Sequence, residues 1–290
     1  MGESGLAGEG RAIVERLGGR WSGEGGLCRC PAHDDRSPSL SVRVGRSRLL
    51  FHCFAGCDTA DVLAALRLAG LGGKAAAASP ATSSLRSSPA STAALRLWGG
   101  AHPVAGTHAE RYLRSRGLTI GSAELRYHPR TPHGPQPFTR FRPALVAAVR
   151  DETGLVGVHR TFLDTGNARL ASVPEPKCGL GRFGRGAVRL GGIAERMGLA
   201  EGIETALSAS ILFGVPCWAT LGTERFRHVS LPGEVRELLL FLDNDAGGHR
   251  AETLAREAFP HVAAIEPYYP PKSGDDWNDV LTEAVLKAAP

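Results

Sequence analysis

Arg236-Glu-Leu-Leu-Leu-Phe-Leu-Asp-Asn-Asp-Ala-Gly-Gly248 decides how this chain is read. The apolar run Leu238–Leu242 stops at Asp243-Asn244-Asp245 and a small, Gly-rich turn. A run of that length between charged flanks is a buried strand, too short for a free-standing helix. Alternation along an extended chain predicts that Asp243 and Asp245 share a side. Two carboxylates together at the end of an apolar strand repel each other and resist desolvation. A divalent cation removes that cost, and Mg²⁺ is the usual guest of one or two carboxylates with phosphate oxygens.

Working outward, strand and helix signals alternate from Met197 to the C-terminal end. Met197–Ala200 predicts a strand leading into Glu201-Gly202 and a helix over 203–213. Val215–Thr220, Val235–Leu242 and His261–Glu266 predict further strands, with helices over 249–259 and 277–286. Such alternation argues a parallel sheet covered by helices, with a site at the carboxyl ends of the strands. Glu201, Asp243 and Asp245 are expected to converge there. Glu204, one turn further along its helix, is expected to be a solvated residue rather than a supporting ligand.

The 290 residues predict two or three domains, and 42% hydrophobic content is ample for packed cores. A net charge of +5 is mild basicity, compatible with nucleic acid. No apolar stretch approaches a membrane span, and the N-terminal residues lack the apolar core of a secretory signal, so a cytoplasmic protein is expected. Four of the six cysteines fall between Cys28 and Cys57, a clustering that in a cytosolic chain favours metal over disulfides.

After a predicted helix over 9–19, two alternating segments, Ser39–Val44 and Arg48–Phe51, read as a hairpin around Gly45-Arg46-Ser47. On either side stand Cys30-Pro-Ala-His33 and Cys53-Phe-Ala-Gly-Cys57. Three thiolates and an imidazole brought together by a hairpin form a closed tetrahedral zinc site; Cys28 is an alternative to Cys30. Asp58 is placed to cap a helix over 59–68. Arg29, Arg36, Arg43, Arg46 and Arg48 surround the knuckles with positive charge, and Phe54 is placed to stack on a base, although a solvated face with a buried Phe54 fits equally.

CPAHDDRSPSLSV followed by FHCFAGCD resembles the zinc-ribbon domain of bacterial and phage replicative DNA primases. The resemblance implies Cys30, His33, Cys53 and Cys57 as zinc ligands, although the second knuckle is one residue longer than in the cellular enzymes. LAEGIETALSA and FLDNDAGG resemble the two halves of the Toprim signature, Glu-Gly after the first strand and Asp-x-Asp after the third. GDDWNDVL resembles the third acidic segment of phage and plasmid primases, which adds Asp276 and Asp279 as further Mg²⁺ ligands.

Residues 70–92 are Gly/Ala/Ser/Pro-rich and predict a flexible linker between a zinc ribbon at 1–69 and a basic α+β subdomain at 93–192. Within that subdomain, helical character returns over 94–117, Pro129–Pro137 reads as irregular, and Pro143–Arg150 with Leu155–Leu163 reads as a hairpin. Lys177–Arg189 is a basic, Gly-rich stretch whose glycines permit a phosphate to approach and whose Lys177, Arg182 and Arg185 supply charge. Pro176-Lys177 resembles the primase Pro-Lys motif, without its continuation, and implies nucleotide or template contact. Residues 193–290 complete the layout as a Rossmann-like Toprim domain.

The resemblance implies a primase that makes short RNA primers on single-stranded DNA from nucleoside triphosphates, with structural Zn²⁺ and catalytic Mg²⁺ or Mn²⁺. In that reading Asp243 and Asp245 hold the cation, and Glu201 is either a ligand or the general base. A Toprim nuclease and a non-catalytic single-stranded-DNA-binding accessory are the alternatives. No G-x-x-x-x-G-K-[ST] loop occurs, so unwinding would fall to a separate helicase.

Overall fold

The computed structural model describes residues 3–32, 35, 38–45, 48–53, 57, 59–71, 91–134, 139–173 and 175–288. The chain divides into two compact units, residues 1–84 and 85–290. The predicted linker lies almost wholly outside the described residues, as do His33, Arg36, Arg46, Phe54 and Asp58.

In the first unit, α1 (Glu3–Arg16) precedes a four-stranded antiparallel meander of β1 (Arg20–Ser22), β2 (Gly25–Cys28), β3 (Leu40–Val44) and β4 (Leu49–Cys53), followed by α2 (Thr59–Leu68). Helix α1 begins six residues earlier than predicted and ends where Gly18 takes φ +71°. The hairpin β1–β2 was not anticipated: Gly25 and Gly26 leave no apolar alternation to detect. Along β4 exposure alternates, so Leu49, Phe51 and Cys53 face the core with Leu40, Val42 and Val14.

The second unit begins with α3 (Thr92–Gly99), β5 (His102–Pro103) and α4 (His108–Ser115). Strands β6 (Leu125–His133), β7 (Arg140–Asp151), β8 (Gly154–Phe162) and β9 (Lys177–Gly181) then complete a five-stranded antiparallel sheet in the order β5-β6-β7-β8-β9. The predicted irregularity at Pro129 is corrected: it lies within β6, where the register with β7 shifts between His128 and Thr131. A bulge is where a sheet tolerates a residue without an N–H. The basic stretch after Pro176 is likewise not all loop, since Lys177–Gly181 pairs along β8 as an edge strand. Gly179 serves packing: a Cβ there, or at Gly157 on the neighbouring β8, would press into the Phe183 ring, 2.7 Å away in both cases.

The remainder is β10 (Arg196–Ala200), α5 (Ile203–Phe213), β11 (Cys217–Ala219), a 3₁₀ turn (Thr223–Arg227), β12 (Glu237–Phe241), α6 (Ala246–Ala258), β13 (Ala264–Tyr268) and α7 (Trp277–Ala288). Its four strands are parallel in the order β11-β10-β12-β13. Buried on both faces, β12 sends Leu239 and Phe241 into one core and Leu238, Leu240 and Leu242 into another, hence its unbroken apolar run. The first of those cores also holds Tyr112, Leu113, Leu125 and Leu145, so the two sheets of this unit share it. Among the described residues, no helix is long and apolar enough to cross a membrane.

Candidate active site

Ala200 of β10 is in register with Phe241 of β12, which sets Glu201 beside the Leu242–Asp243 step. The chain leaves β10 toward β11 on one side and β12 lies on the other, so these ends flank a topological switch point, where open α/β sheets bind ligands.

Strand alternation is not what places the two aspartates. The strand ends at Phe241, and the Asp245 N–H donates to the Asp243 carbonyl at 2.9 Å, turning the chain. Asp245 then caps α6, accepting from the Gly248 N–H at 2.9 Å, so the helix starts at Ala246 rather than His249. The glycines keep this turn tight: a Cβ at Gly248 would collide with the Asp243 carbonyl, whereas one at Gly247 would sit 3.1 Å from Asp245 Oδ1. Gly248→Ala is expected to weaken divalent-cation binding by at least ~10-fold, and Gly247→Ala by less, as measured by calorimetric titration.

Asp243 Oδ1 is buried and has no hydrogen-bond partner among the described residues. Burial, then the carboxylates of Glu201, Asp276, Asp245 and Asp279, push the Asp243 carboxyl up to about 7. Glu201 is also raised, by burial first and then against the hydrogen bond it accepts from Thr223 Oγ1 at 2.9 Å, with Asp245 adding to the rise. Asp276 and Asp279 reach this field from the N-terminus of α7. Asp276 Oδ1 accepts from the Asn278 and Asp279 N–H groups, and Asp279 Oδ2 accepts from the Asp276 N–H. The 270–276 loop is fastened to the Asp-Asn-Asp turn by Asn244 Nδ2 on the Pro270 carbonyl at 2.7 Å and by Gly274 N–H on the Asn244 carbonyl at 2.9 Å. An orphaned, buried carboxylate oxygen amid four other acids fits a divalent cation. The carboxylates are nevertheless spread wider than a closed cage: among the described residues only Cys30, Cys53 and Cys57 form a set whose donor atoms all lie within 4.8 Å of one another. Wide spacing suits Mg²⁺, which keeps several waters and takes only one or two carboxylates.

Glu204 corrects its sequence reading. It is 5% exposed, not solvated, because α5 is buried from Ile203 to Ala209 between the parallel sheet and its covering elements. Its carboxylate accepts from Tyr112 Oη at 2.6 Å and pairs with Lys177 Nζ at 2.9 Å. Burial raises the Glu204 carboxyl, but Lys177 and Tyr112 outweigh it and hold it at about 2. Lys177 is therefore engaged by a buried anion, while Arg182 is exposed just beyond β9 and Arg185 reaches Ser230 Oγ at 3.1 Å. Glu204→Ala is expected to cost about 2 kcal/mol in urea denaturation, because it removes the anion of Lys177 and leaves the buried Tyr112 hydroxyl without its acceptor.

Sequence reading also missed Arg225, whose guanidinium is 6% exposed and donates to the carbonyls of Thr220 (2.7 Å), Gly186 (2.5 Å) and Gly184 (3.3 Å). Burial lowers it to about 10. An arginine in a charged segment gives no signal of burial; two of its three carbonyl partners belong to a turn about forty positions earlier.

In the first unit, the thiols of Cys30, Cys53 and Cys57 gather at the ends of β2 and β4 and before α2. Asp35 Oδ2 shapes the knuckle by accepting from the Cys30 N–H (2.6 Å), the Ser39 N–H (3.1 Å) and Ser39 Oγ (2.6 Å). Hydrogen bonding to Cys30 and Cys53 and burial push the Cys57 thiol far up. Three thiols whose sulfurs lie within 4.8 Å of one another are a set that a Zn²⁺ ion would hold as thiolates. Cys28 stands apart with its Sγ on the Leu40 carbonyl at 3.6 Å. Arg48 is exposed on the β3–β4 hairpin.

Residues 196–285 match the Toprim domain family, a span that contains Glu201, Asp243, Asp245, Asp276 and Asp279. These residues form a Toprim domain. Immediately before the Toprim domain, residues 88–190 match a domain of unknown function, DUF7146. No curated protein matches the chain. Solved structures similar to it include a DNA primase domain from Pseudomonas aeruginosa, at 16% identity over 68% of this chain and 77% of that one, TM-score 0.47. The zinc-binding and RNA polymerase domains of Aquifex aeolicus primase are similar at 17% identity over 99% and 84%, TM-score 0.44. The primase fragment of the bacteriophage T7 primase-helicase is similar at 12% identity over 90% and 98%, TM-score 0.41.

Proposed function

We propose that this chain is a primase that joins ribonucleotides into short RNA primers on single-stranded DNA. The observation that carries the reading is the buried, partnerless Asp243 Oδ1 among the acids of the Toprim domain, in a chain that also carries a three-thiol cluster. In this reading Asp243 and Asp245 hold Mg²⁺ or Mn²⁺ with Glu201, and Asp276 and Asp279 act on it from further out. The bound cation supplies neutralisation of the triphosphate and polarisation of the attacked phosphorus. A primer 3′-hydroxyl attacks the α-phosphorus, a new O–P bond forms, and pyrophosphate leaves with the electron pair of the broken bond. Glu201, raised above the ordinary carboxylate range, is suited to take the hydroxyl proton when it is not a ligand. Arg182 and Arg185 are proposed to meet phosphates, with Lys177 fixed by Glu204 behind them. The thiol cluster, with His33 as fourth ligand, is proposed to fold the unit that carries Arg36, Arg48 and Phe54 to the template.

Incubation of the full chain with single-stranded DNA, labelled ribonucleotides and Mg²⁺ tests this on a sequencing gel. Short labelled products are expected. Cleavage of the DNA without products would instead establish a nuclease, and neither outcome in the presence of binding would reduce the chain to an accessory.

A further inference from the structure

Glu201 follows directly on Ala200, the last residue of β10. Among the described residues, the donors its carboxylate receives come from Thr223, through Oγ1 at 2.9 Å and through the backbone N–H. Thr223 is brought there by an unusual turn. The Leu221 N–H donates to the Glu201 carbonyl at 2.8 Å, continuing the β10–β11 pairing beyond the strands. Leu221 then takes φ +70° and Gly222 φ 145°, which reverses the chain onto the 3₁₀ turn that Thr223 begins. A leucine stays in the left-handed region only where its surroundings impose it. Here Arg225 grips the Thr220 carbonyl, and buried Glu224 pairs with Arg227 (2.6 Å) and Arg250 (3.1 Å). Arg250 belongs to α6, so the same turn is tied to the helix that Asp245 caps. Thr223 Oγ1 lies 3.6 Å from where a Cβ on Gly247 would stand, beside Asp245 Oδ1. The hydroxyl therefore touches Glu201 and borders the Asp-Asn-Asp turn at once.

We infer that Thr223 is a positioning residue, whose hydroxyl fixes Glu201 in the rotamer that faces the cation held by Asp243 and Asp245. This rests on the cation-dependent reading above. Outer partners that orient ligands are worth about 10–100-fold in metal affinity. The Leu221 turn is then the device that keeps the hydroxyl in place, which explains a strained residue two positions away from it.

The test is Mn²⁺ titration of the zinc-loaded full chain, followed by electron paramagnetic resonance. Thr223→Val, which keeps the shape and removes the hydroxyl, is expected to weaken Mn²⁺ binding at least ~10-fold, and Thr223→Ser to restore it to within ~3-fold. In a Glu201→Gln background, Thr223→Val is expected to add nothing. Wild-type affinity in Thr223→Val, or an equal loss with and without Glu201, would overturn the inference. Thr223→Ala is read the same way if the valine variant does not fold; loss of fold in both would make Thr223 a structural residue and overturn it too. A wild-type chain that takes up no Mn²⁺ would instead overturn the proposed function.

Discussion

Asp243→Asn is expected to abolish primer synthesis, by at least ~10³-fold, while making the cation-free chain more stable above pH 7. The two effects share a cause. Among the described residues Asp243 Oδ1 is buried without a donor, and it lies in the field of Glu201, Asp276, Asp245 and Asp279, so its ionised form destabilises the fold unless a cation is present. Its carboxyl titrates at about 7 in the folded chain against an ordinary 3.8. Below pH 4 the group is protonated in folded and unfolded chains alike and costs nothing. As pH rises from about 4 to 7 the unfolded chain releases this proton first, so stability falls, and above 7 the full penalty is present. The penalty is at most about 4 kcal/mol and less in practice, because Asp243 is partly solvent-accessible. Urea midpoints in chelator at pH 5 and pH 8 should therefore converge for the asparagine variant relative to wild type, and Mg²⁺ should raise only the wild-type midpoint at pH 8. Retained synthesis in the variant, or a wild type as stable as the variant at pH 8 without cation, would remove Asp243 from the centre of the site.

Stripping zinc, or replacing Cys53 with serine, is expected to unfold the first unit and leave the second intact. The core of the first unit is small, and three of its buried or half-buried members are the thiols themselves. Around them the chain must hold a four-stranded meander and two helices over only about seventy positions, a size at which a hydrophobic core alone is marginal. Structural zinc in small domains supplies roughly 10–16 kcal/mol of binding that is felt as folding energy. Limited proteolysis with and without a strong chelator reads the outcome: rapid cleavage across residues 3–71 and persistence of a fragment from about Thr92 onward. Unchanged resistance of the first unit after complete zinc removal would show that the thiols are ordinary core residues. Cys28→Ser supplies the contrast, since its Sγ sits on the Leu40 carbonyl, away from the cluster, and its loss should leave zinc content near one per chain.

Much of the Toprim domain was legible from residue order because its signals are local. A short apolar run without alternation, bounded by charges, reads as a strand buried on both faces, and β12 fills two cores for that reason. The helix over Thr59–Leu68 was likewise bounded by its own sequence. Glu201 and the Asp243/Asp245 pair could be found because they follow the carboxyl ends of strands whose type was evident, and Asp276 and Asp279 because they open a helix that was equally evident. The thiol knuckles were visible through spacing, which is a property of the chain before it folds.

What escaped the sequence is what depends on partners supplied from elsewhere. Whether Glu204 faces water or a core is decided by Tyr112 and Lys177, which arrive from α4 and β9. The glycines of the basic stretch looked like a phosphate cradle, yet a Cβ at Gly179, as at Gly157 on the neighbouring strand, would press into the Phe183 ring. Asp243 and Asp245 were expected together through strand alternation, and they come together instead through a turn and a helix cap. Residue order by itself determined the helices and parallel strands of the Toprim domain, the β3–β4 and β7–β8 hairpins, and where the acids and thiols fall, because periodicity and spacing act over a few residues. Only the tertiary structure decided which side chains the acids meet, since a carboxylate's partners and its charge are set by whatever distant element packing brings against it.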